Sequence, residues 1–434
     1  MAEVSGALPA GATRAGSVFR HRLFALIWAG AFLSNVGNWM ENSAQNWAVA
    51  SAKYADQAHD AASMTEILNF ADFAPALFLV LLAGVITDRV NLKKYLLWLQ
   101  ALACLLGLSL AIAAYLGYAS PWVVIFFTFA EGIVWALNGP PWQTVVPHLV
   151  PRRELPRAIA ANAAQFNLAR LVGPFLAGMV IVHFGLAAAF FVNAASFVPV
   201  IFALTRLPPQ PPRRKSAGEK SLLKEVLSGI HIVRANKGLR RLSIMLIIFM
   251  FLSAPLQGLL PVMVQQVLGG DSRVYGLMLG GIGLGAVLGA LVIGRVPSYY
   301  PRHHLIPLAM CLCCGFMIVF SLTTSAWFAL PVIVCIGFFW MLSLNSANAA
   351  NQLLASDENR GRVLSVMLLC NQGFMPLGHL FAGFLTRWLS PQWVIRSMVG
   401  TLLLFTLYFL MKREPAIDAM TPRQPRAPGF WMGV

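Results

Sequence analysis

The sequence predicts an all-helical membrane protein of twelve spans, arranged as two sets of six. Three observations carry that expectation. Apolar stretches of spanning length recur near 23–50, 64–87, 95–117, 121–142, 158–182, 186–205, 242–266, 274–294, 304–323, 326–347, 363–386 and 391–411. Hydrophobic residues make up 58% of the 434 residues and charged ones 11%, against about 25% charged in soluble proteins. The positive charge is also one-sided. Of 32 Lys and Arg, 27 fall in the termini and even-numbered connections, three (Lys53, Arg273, Arg387) in odd-numbered ones and two (Arg170, Arg396) inside spans.

A spanning helix takes roughly 20 mostly apolar residues, so twelve of them consume nearly the whole chain. No stretch is left for a separate soluble enzyme domain. The charge asymmetry is the positive-inside pattern, which places both termini on the cytoplasmic side. The net charge of +16 has the same origin, because the basic residues flank spans. Without aromatic and basic residues interleaved on a folded domain, a nucleic-acid partner is not expected. Residues 1–21 show no apolar core before a small-residue cleavage site, so no removable signal peptide is expected and the first span inserts itself.

In chain order, a cytoplasmic tail (1–21) precedes a six-span bundle (22–205). The longest polar interruption, 206–241, follows. Its Pro-rich start from Arg206 to Lys215 reads as an extended linker. Leu222, Leu223, Val226, Leu227, Ile230, Ile232 and Val233, with Lys224, Arg234 and Lys237 among them, then predict a short amphipathic helix on the inner membrane surface. A second six-span bundle (242–411) and a cytoplasmic tail (412–434) complete the chain. The halves echo each other, with Gly173-Pro174 in span 5 and Met375-Pro376-Leu377-Gly378 in span 11. Six-plus-six repeats with a substrate site between the halves recur in secondary transporters. No GxxxxGK[ST] phosphate loop occurs, so ATP is not expected as the direct energy source.

Function must then be read from polar residues left in lipid, where a lone charge at a helix centre costs roughly 2.5–3.5 kcal/mol on insertion scales. In span 1, Asn35, Asn38, Glu41, Asn42 and Gln45 share one helical face. In span 2, Glu66, Asn69 and Asp72 repeat every three residues. Glu41 and Asp72 both fall in the external half and are expected to share a polar vestibule. In span 4, Glu131, Trp135, Asn138 and Trp142 align. Glu131 and Arg170 lie at similar depth, and a midplane pair between them is expected, either protonation-dependent or a static salt bridge. Asn371 and Gln372 of span 11 either line the cavity or bond between helices. Asn345, Asn348 and Gln352 form an interfacial stripe, and His379 reads as a packed, satisfied residue. All six Cys (104, 311, 313, 314, 335, 370) lie in apolar stretches without metal-ligand spacing. No His, Ser or Cys constellation points to nucleophilic catalysis. Enzyme activity, a metal and a cofactor are therefore not expected.

Local motifs narrow the reading. After span 2, Gly84, Asp88, Arg89 and Lys93 resemble the signature between the second and third helices of the major facilitator superfamily, departing from it at Asn91 and Leu92. The resemblance implies a latch that holds the cytoplasmic side shut. In span 5, Ala169-Arg170-Leu171-Val172-Gly173-Pro174-Phe175-Leu176-Ala177-Gly178 is similar to the packing pattern of antiporting members, with Gly173, Pro174 and Gly178 as packing positions. Asn35 to Met40, Val146 to Ala158 and Gly361 to Ser365 resemble the bacterial efflux branch that includes the enterobactin exporter and drug–proton antiporters.

The expectation is a major facilitator bundle carrying out proton-coupled efflux of a small organic molecule by alternating access. The cargo would be an amphipathic or cationic drug-like compound, to suit the mixture of acidic, amide and aromatic groups, or a siderophore by resemblance. Glu41, Asp72, Glu131 and Arg170 would couple protons. Asn35, Asn38, Asn42, Gln45, Trp135, Asn371 and Gln372 would line the substrate cavity. The partners are the small molecule, protons and the lipid bilayer, the expected state is a monomer, and the place is the bacterial inner membrane. A proton-driven importer or a non-transporting scaffold or sensor remain as alternatives.

Overall fold

Helix follows helix in the computed structural model, which describes residues 15–51, 58–208, 222–293, 302–356 and 358–412. The Pro-rich part of the linker and most of both expected tails lie outside the described residues. A 3-10 turn (Ala15–Arg20) leads into α1 (Arg22–Ala50), α2 (Ala58–Arg89), α3 (Leu92–Tyr115), α4 (Pro121–Leu149), α5 (Leu155–Phe184) and α6 (Leu186–Thr205). Then come α7 (Leu222–Ala235), α8 (Lys237–Ser253) and α9 (Pro255–Val262), which ends in a π turn (Met263–Val267). The last helices are α10 (Ser272–Ile293), α11 (Arg302–Leu322), α12 (Ala326–Leu354), α13 (Arg360–Gly373), α14 (Met375–Leu385) and α15 (Pro391–Met411). No strand occurs among the described residues.

Eleven of these segments are long and apolar enough to cross a membrane, counting α8 with α9 and α13 with α14 as single spans. The 32-residue α2 packs among them. Spans 7 and 11, expected as continuous, are each interrupted once, at Ala254 and Phe374. Both interruptions immediately precede the first turn of a helix that carries Pro255 or Pro376 there. Proline removes a backbone donor and crowds the preceding turn, which ends the ladder at that point.

Large apolar side chains such as Phe78, Leu105, Phe126, Phe328 and Leu404 are well exposed. Spread around the bundle, they form the apolar exterior that a bilayer covers. The sharp reversal between α5 and α6 uses Gly185 at φ +84, a conformation that costs glycine little. At the end where α1 begins, buried Glu154 of the α4–α5 connection receives Arg20 at 2.5 Å and His21 at 2.9 Å. That pair of contacts ties the N-terminal turn to the bundle.

Within the first six helices, α1 packs on α5 and α6, α2 on α4, and α3 on α6. Among the rest, α10 packs on α12, and α11 on α12 and α15. The main contacts between these sets are α5 with α10, and α2 with α9 and α14, while α1 also meets α9 and α2 also meets α13 and α15. The α5–α10 contact is built on small residues that let backbones touch, and the α2 contact on glycines that make room for the Glu66 side chain. A Cβ at Gly276 would sit 2.8 Å from the Pro174 carbonyl, and one at Gly178 would run into the Ser272 carbonyl. The amphipathic α7 lies against α13, where a Cβ at Gly229 would come 2.7 Å from the Arg362 carbonyl.

Candidate functional site

The two sets of helices enclose a cavity of about 580 Å³. It lies toward the end where α1 and α13 begin and α4 finishes. From α1 come Ala31, Ser34, Asn35 and Asn38, from α2 Ala76 and Leu77, and from α3 Gln100. Helix α4 gives Trp135, Asn138, Gly139, Pro140, Trp142 and Gln143, and α5 gives Asn162 and Phe166. Helix α13 closes it with Gly361, Arg362, Ser365, Leu368, Leu369 and Gln372. Amides dominate the polar lining, Arg362 is its one cation, and no carboxylate belongs to it. A volume of this size suits a drug-sized ligand.

Beyond the closed end of the cavity lie three carboxylates, each one turn or less from lining residues on its own helix. Glu41 follows Asn38, Asp72 precedes Ala76 and Glu131 precedes Trp135. Each is held by a side-chain amide. Asn193 of α6 donates to Oε2 of Glu41, Gln45 donates to Oε2 of Glu131 at 2.7 Å, and Asn42 donates to Asp72 at 3.0 Å. The carboxyl groups of Glu41 and Glu131 face one another, and Asp72 is within electrostatic reach of Glu131. Oε1 of Glu41 and Oε1 of Glu131 are buried with no hydrogen-bond donor. Two facing carboxyl groups cannot both be ionised without strong repulsion, and one proton held by the pair would relieve it.

Arg170 is not in this cluster. The expected midplane pair with Glu131 does not form, because Gln45 occupies Glu131 and the guanidinium of Arg170 lies over the Trp39 ring, 5.3 Å from its centroid. Arg170 lines a smaller cavity of about 60 Å³ with Trp39, Asn42, Ser43, Asn46, Asn69, Gln257 and Tyr275. Similar depth in the bundle was the reason to pair the two residues. Their helices are rotated so that Glu131 looks toward α1, whereas Arg170 looks past α1 toward α10.

The remaining sequence-singled residues divide. Asn35, Asn38, Trp135 and Gln372 line the large cavity. Asn42 lines the small one, Gln45 is buried, and Asn371 lines neither. At the expected gate, Lys93 donates to the Thr205 carbonyl at 2.7 Å and Arg89 is exposed. Gly84 falls within α2, and the Asp88 side chain lies outside the described residues. Gly173 sits against α1, where a Cβ would come 2.6 Å from that of Trp39. Pro174 and Gly178 meet α10 through their backbones. Cys313 and Cys314 are buried packing residues, and among the described residues no group of metal-ligating side chains assembles.

Two functional contacts escaped sequence reasoning. Asn193, which holds Glu41, is the one amide side chain of a mostly apolar sixth span, and that isolation in lipid was the available signal. His379, read as packed and satisfied, is hydrogen-bonded by Nδ1 to Glu66 at 2.6 Å, and its Nε2 has no partner. No pattern within either helix links residues 313 positions apart.

Similarity to known proteins agrees with this architecture. The staphyloferrin A transporter of Staphylococcus aureus (strain NCTC 8325 / PS 47) is 24% identical over 363 residues, covering 81% of this chain and 87% of that protein. Macrolide efflux protein A of Streptococcus pyogenes is 25% identical over 391 residues, 88% of this chain and 93% of that one. The enterobactin exporter EntS of Escherichia coli O1:K1 / APEC is 24% identical over 355 residues, 80% and 83% respectively. Among solved structures, the nucleoside transporter NupG superposes with a TM-score of 0.72 at 14% identity, covering 90% of this chain and 100% of that one. An inward-facing, unoccupied bacterial homologue of the human lysosomal transporter Spinster gives 0.68 at 14% identity, covering 92% and 97%. The profile of the transmembrane secretion effectors matches residues 13–429. A multi-pass membrane chain whose halves close around an amide-lined cavity, matched over nearly its whole length, belongs to the transmembrane secretion effector family of major facilitator transporters.

Proposed function

We propose that the protein exports a small amphipathic organic molecule in exchange for protons, by alternating access, from the bacterial cytoplasm. The observation that carries the reading is the facing pair Glu41 and Glu131, with one donorless buried oxygen on each. One proton held by the pair would relieve the repulsion between the two acids. The cluster begins about one helical turn beyond the cargo cavity, so loading the cavity and protonating the carboxylates act on the same helices, α1 and α4. The positive-inside pattern orients the large cavity toward the cytoplasm with both termini on that side, in a monomer of two six-helix bundles (22–205 and 242–411) joined by 206–241. The contacts of α5 with α10 and of α2 with α9 and α14 then close the outer face.

The lining favours a neutral or acidic cargo with aromatic or ring surface. Trp135, Trp142 and Phe166 offer flat apolar contact, the amides of Asn35, Asn38, Asn138, Gln143 and Gln372 bond either donors or acceptors, and Arg362 favours an anion. Macrolide and siderophore handling by relatives supports these two cargo classes and the outward direction. Asp72 assists by its field on Glu131, and Gly84, Asp88, Arg89 and Lys93 serve the cytoplasmic gate that closes in the opposite state.

Inside-out vesicles test the reading. A labelled macrolide or siderophore should accumulate when the vesicle interior is acidic, and an uncoupler should abolish the accumulation. Glu41→Gln and Glu131→Gln should each remove it with normal protein levels. Accumulation that survives the uncoupler would overturn the proton-coupled reading.

A further inference from the structure

On the face away from the large cavity, α2 and α14 are joined by a pair of fully buried ionisable side chains. Nδ1 of His379 lies 2.6 Å from Oε2 of Glu66, and neither side chain has any exposed surface. Glycines shape the seat. A Cβ at Gly258 of α9 would lie 2.5–2.6 Å from the Glu66 carboxyl atoms, and one at Gly383 of α14 would lie 3.1 Å from the Glu66 Cβ. Glu66 thus reaches out of the first six-helix set into a slot between two helices of the second. Phe73 lies parallel to the His379 ring at 6.5 Å, and Ser63 donates to the Gly383 carbonyl at 3.3 Å. Oε1 of Glu66 and Nε2 of His379 have no partner, so the pair carries more polar atoms than its packing needs.

Their chemistry differs between sealed and separated states. In a site without water, one net charge on such a pair is far more costly than none. The neutral arrangement holds one proton between the partners, drawn as carboxylate with imidazolium or as carboxylic acid with imidazole. Opening this face pulls α2 away from α14 and exposes both groups to water. A free glutamate has a pKa of about 4.3 and a free histidine about 6.5, so above about pH 6.5 the separated pair holds no proton. Closing then takes up one proton and opening releases it. Below about pH 6.5 the separated histidine keeps its proton, and opening becomes indifferent to pH.

We infer that Glu66 and His379 form a proton-operated latch, in which uptake of one proton from the face they seal accompanies closure of that face. The inference rests on the alternating-access reading above but not on which carboxylate carries the transported proton. It is distinct from the Glu41–Glu131 pair, since Glu66 precedes Asp72 by six residues, about 9 Å of helix rise. It also gives the exchange a direction: an acidic exterior returns the emptied transporter to its cytoplasm-facing state.

The charged and titratable groups on the elements packed around the pair are engaged elsewhere or distant along their helices. On α2, Asp72 accepts from Asn42, whereas Asp60 and Arg89 stand near the two ends. On α1 and α4, Glu41 and Glu131 are held by Asn193 and Gln45, and His148 bonds the Thr144 carbonyl. Arg22 opens α1. On α8, Arg241 donates to the Phe409 and Lys412 carbonyls, and Lys237 and Arg240 sit in its first turn. On α13, Arg362 donates to Asn359 and Cys370 neighbours Ser243 of α8. On α15, Arg396 donates to Ser321, and Lys412, just past the helix end, donates to Tyr408. Helix α9 carries no titratable group.

Opening can be read at Ser272, which is buried against the Gly178 carbonyl in the other contact that closes this face. The full-length Ser272→Cys protein in lipid nanodiscs is labelled with a membrane-impermeant maleimide, above the background of the six native cysteines. The rate is divided by that of Thr324→Cys, an exposed position, which removes the pH dependence of the thiol itself. One proton released per opening predicts a normalised rate flat below about pH 6.5 and rising up to about tenfold per pH unit above it. Glu66→Gln and His379→Asn, each tested alone, should flatten the rise. A flat profile in the unsubstituted pair, or the same rise in a variant that folds, overturns the latch. Glu41→Gln should keep the rise while losing coupled transport, which separates failure of this inference from failure of the proton-exchange reading.

Discussion

Gln45 donates to Glu131 at 2.7 Å across the α1–α4 contact, and this bond sets which residue Glu131 faces. Oε2 of Glu131 is taken by Gln45 and Oε2 of Glu41 by Asn193, which leaves one oxygen of each facing acid without a donor. Two amides therefore orient two acids toward each other, and the arrangement has consequences that can be measured.

If Glu41 and Glu131 hold one proton jointly, removing either acid removes the proton. Glu41→Gln and Glu131→Gln should each lower proton-driven transport by about tenfold or more, and the double substitution should cost little beyond either single one, as for residues acting as a unit. Transport rates in inside-out vesicles for the three variants check this. Multiplicative losses would separate the two acids into independent roles.

Asn193 has no role except to donate to Glu41 and to accept from Ser196. Asn193→Ala leaves a second oxygen of a buried acid without a donor, which costs about 1–3 kcal/mol. Thermal unfolding in detergent should drop by several degrees, and the same substitution in a Glu41→Gln background should cost measurably less.

Among the described residues Arg170 has no acidic partner to lose. Breaking a buried ion pair costs about 3–5 kcal/mol, whereas a cation over an indole contributes about 0.5–2 kcal/mol. Arg170→Gln should therefore destabilise the protein only by the smaller amount, with Glu131→Gln and Arg170→Gln additive in stability. Strong non-additivity in that double-mutant cycle would restore the missing salt bridge.

Gly173 lets α5 lie directly on α1, with room for no side chain between Trp39 and the glycine. Gly173→Ala should cost about 1–3 kcal/mol through overpacking, and Gly315→Ala, at a position with nothing within 4 Å, should cost none. Comparing the two melting temperatures isolates the packing effect from helix propensity.

Arg362 is the cation of the large cavity. Arg362→Glu should reduce export of an acidic cargo by about tenfold, which corresponds to roughly 1.4 kcal/mol, and leave an uncharged cargo within about twofold. Parallel efflux of the two cargo classes is the measurement.

Hydropathy located the helices because a bilayer imposes its demand locally, on each stretch of about 20 residues. The expected sixth span, 186–205, coincides with α6 (Leu186–Thr205), and helical periodicity put Asn35, Asn38 and Glu41 on one face of α1. Proline alone did not locate the breaks beside Pro255 and Pro376, since Pro75 and Pro174 sit inside continuous helices. Sequence also flagged every acid in the carboxylate cluster, since each is costly in lipid. What it left open was the partner of each one. Period and depth say which residues share a face and at what level, whereas the rotation of one helix about its axis relative to another comes from packing of the whole bundle. That rotation gave Glu131 to Gln45 and Glu41 instead of Arg170, gave Glu41 to Asn193, and carried Glu66 across to His379.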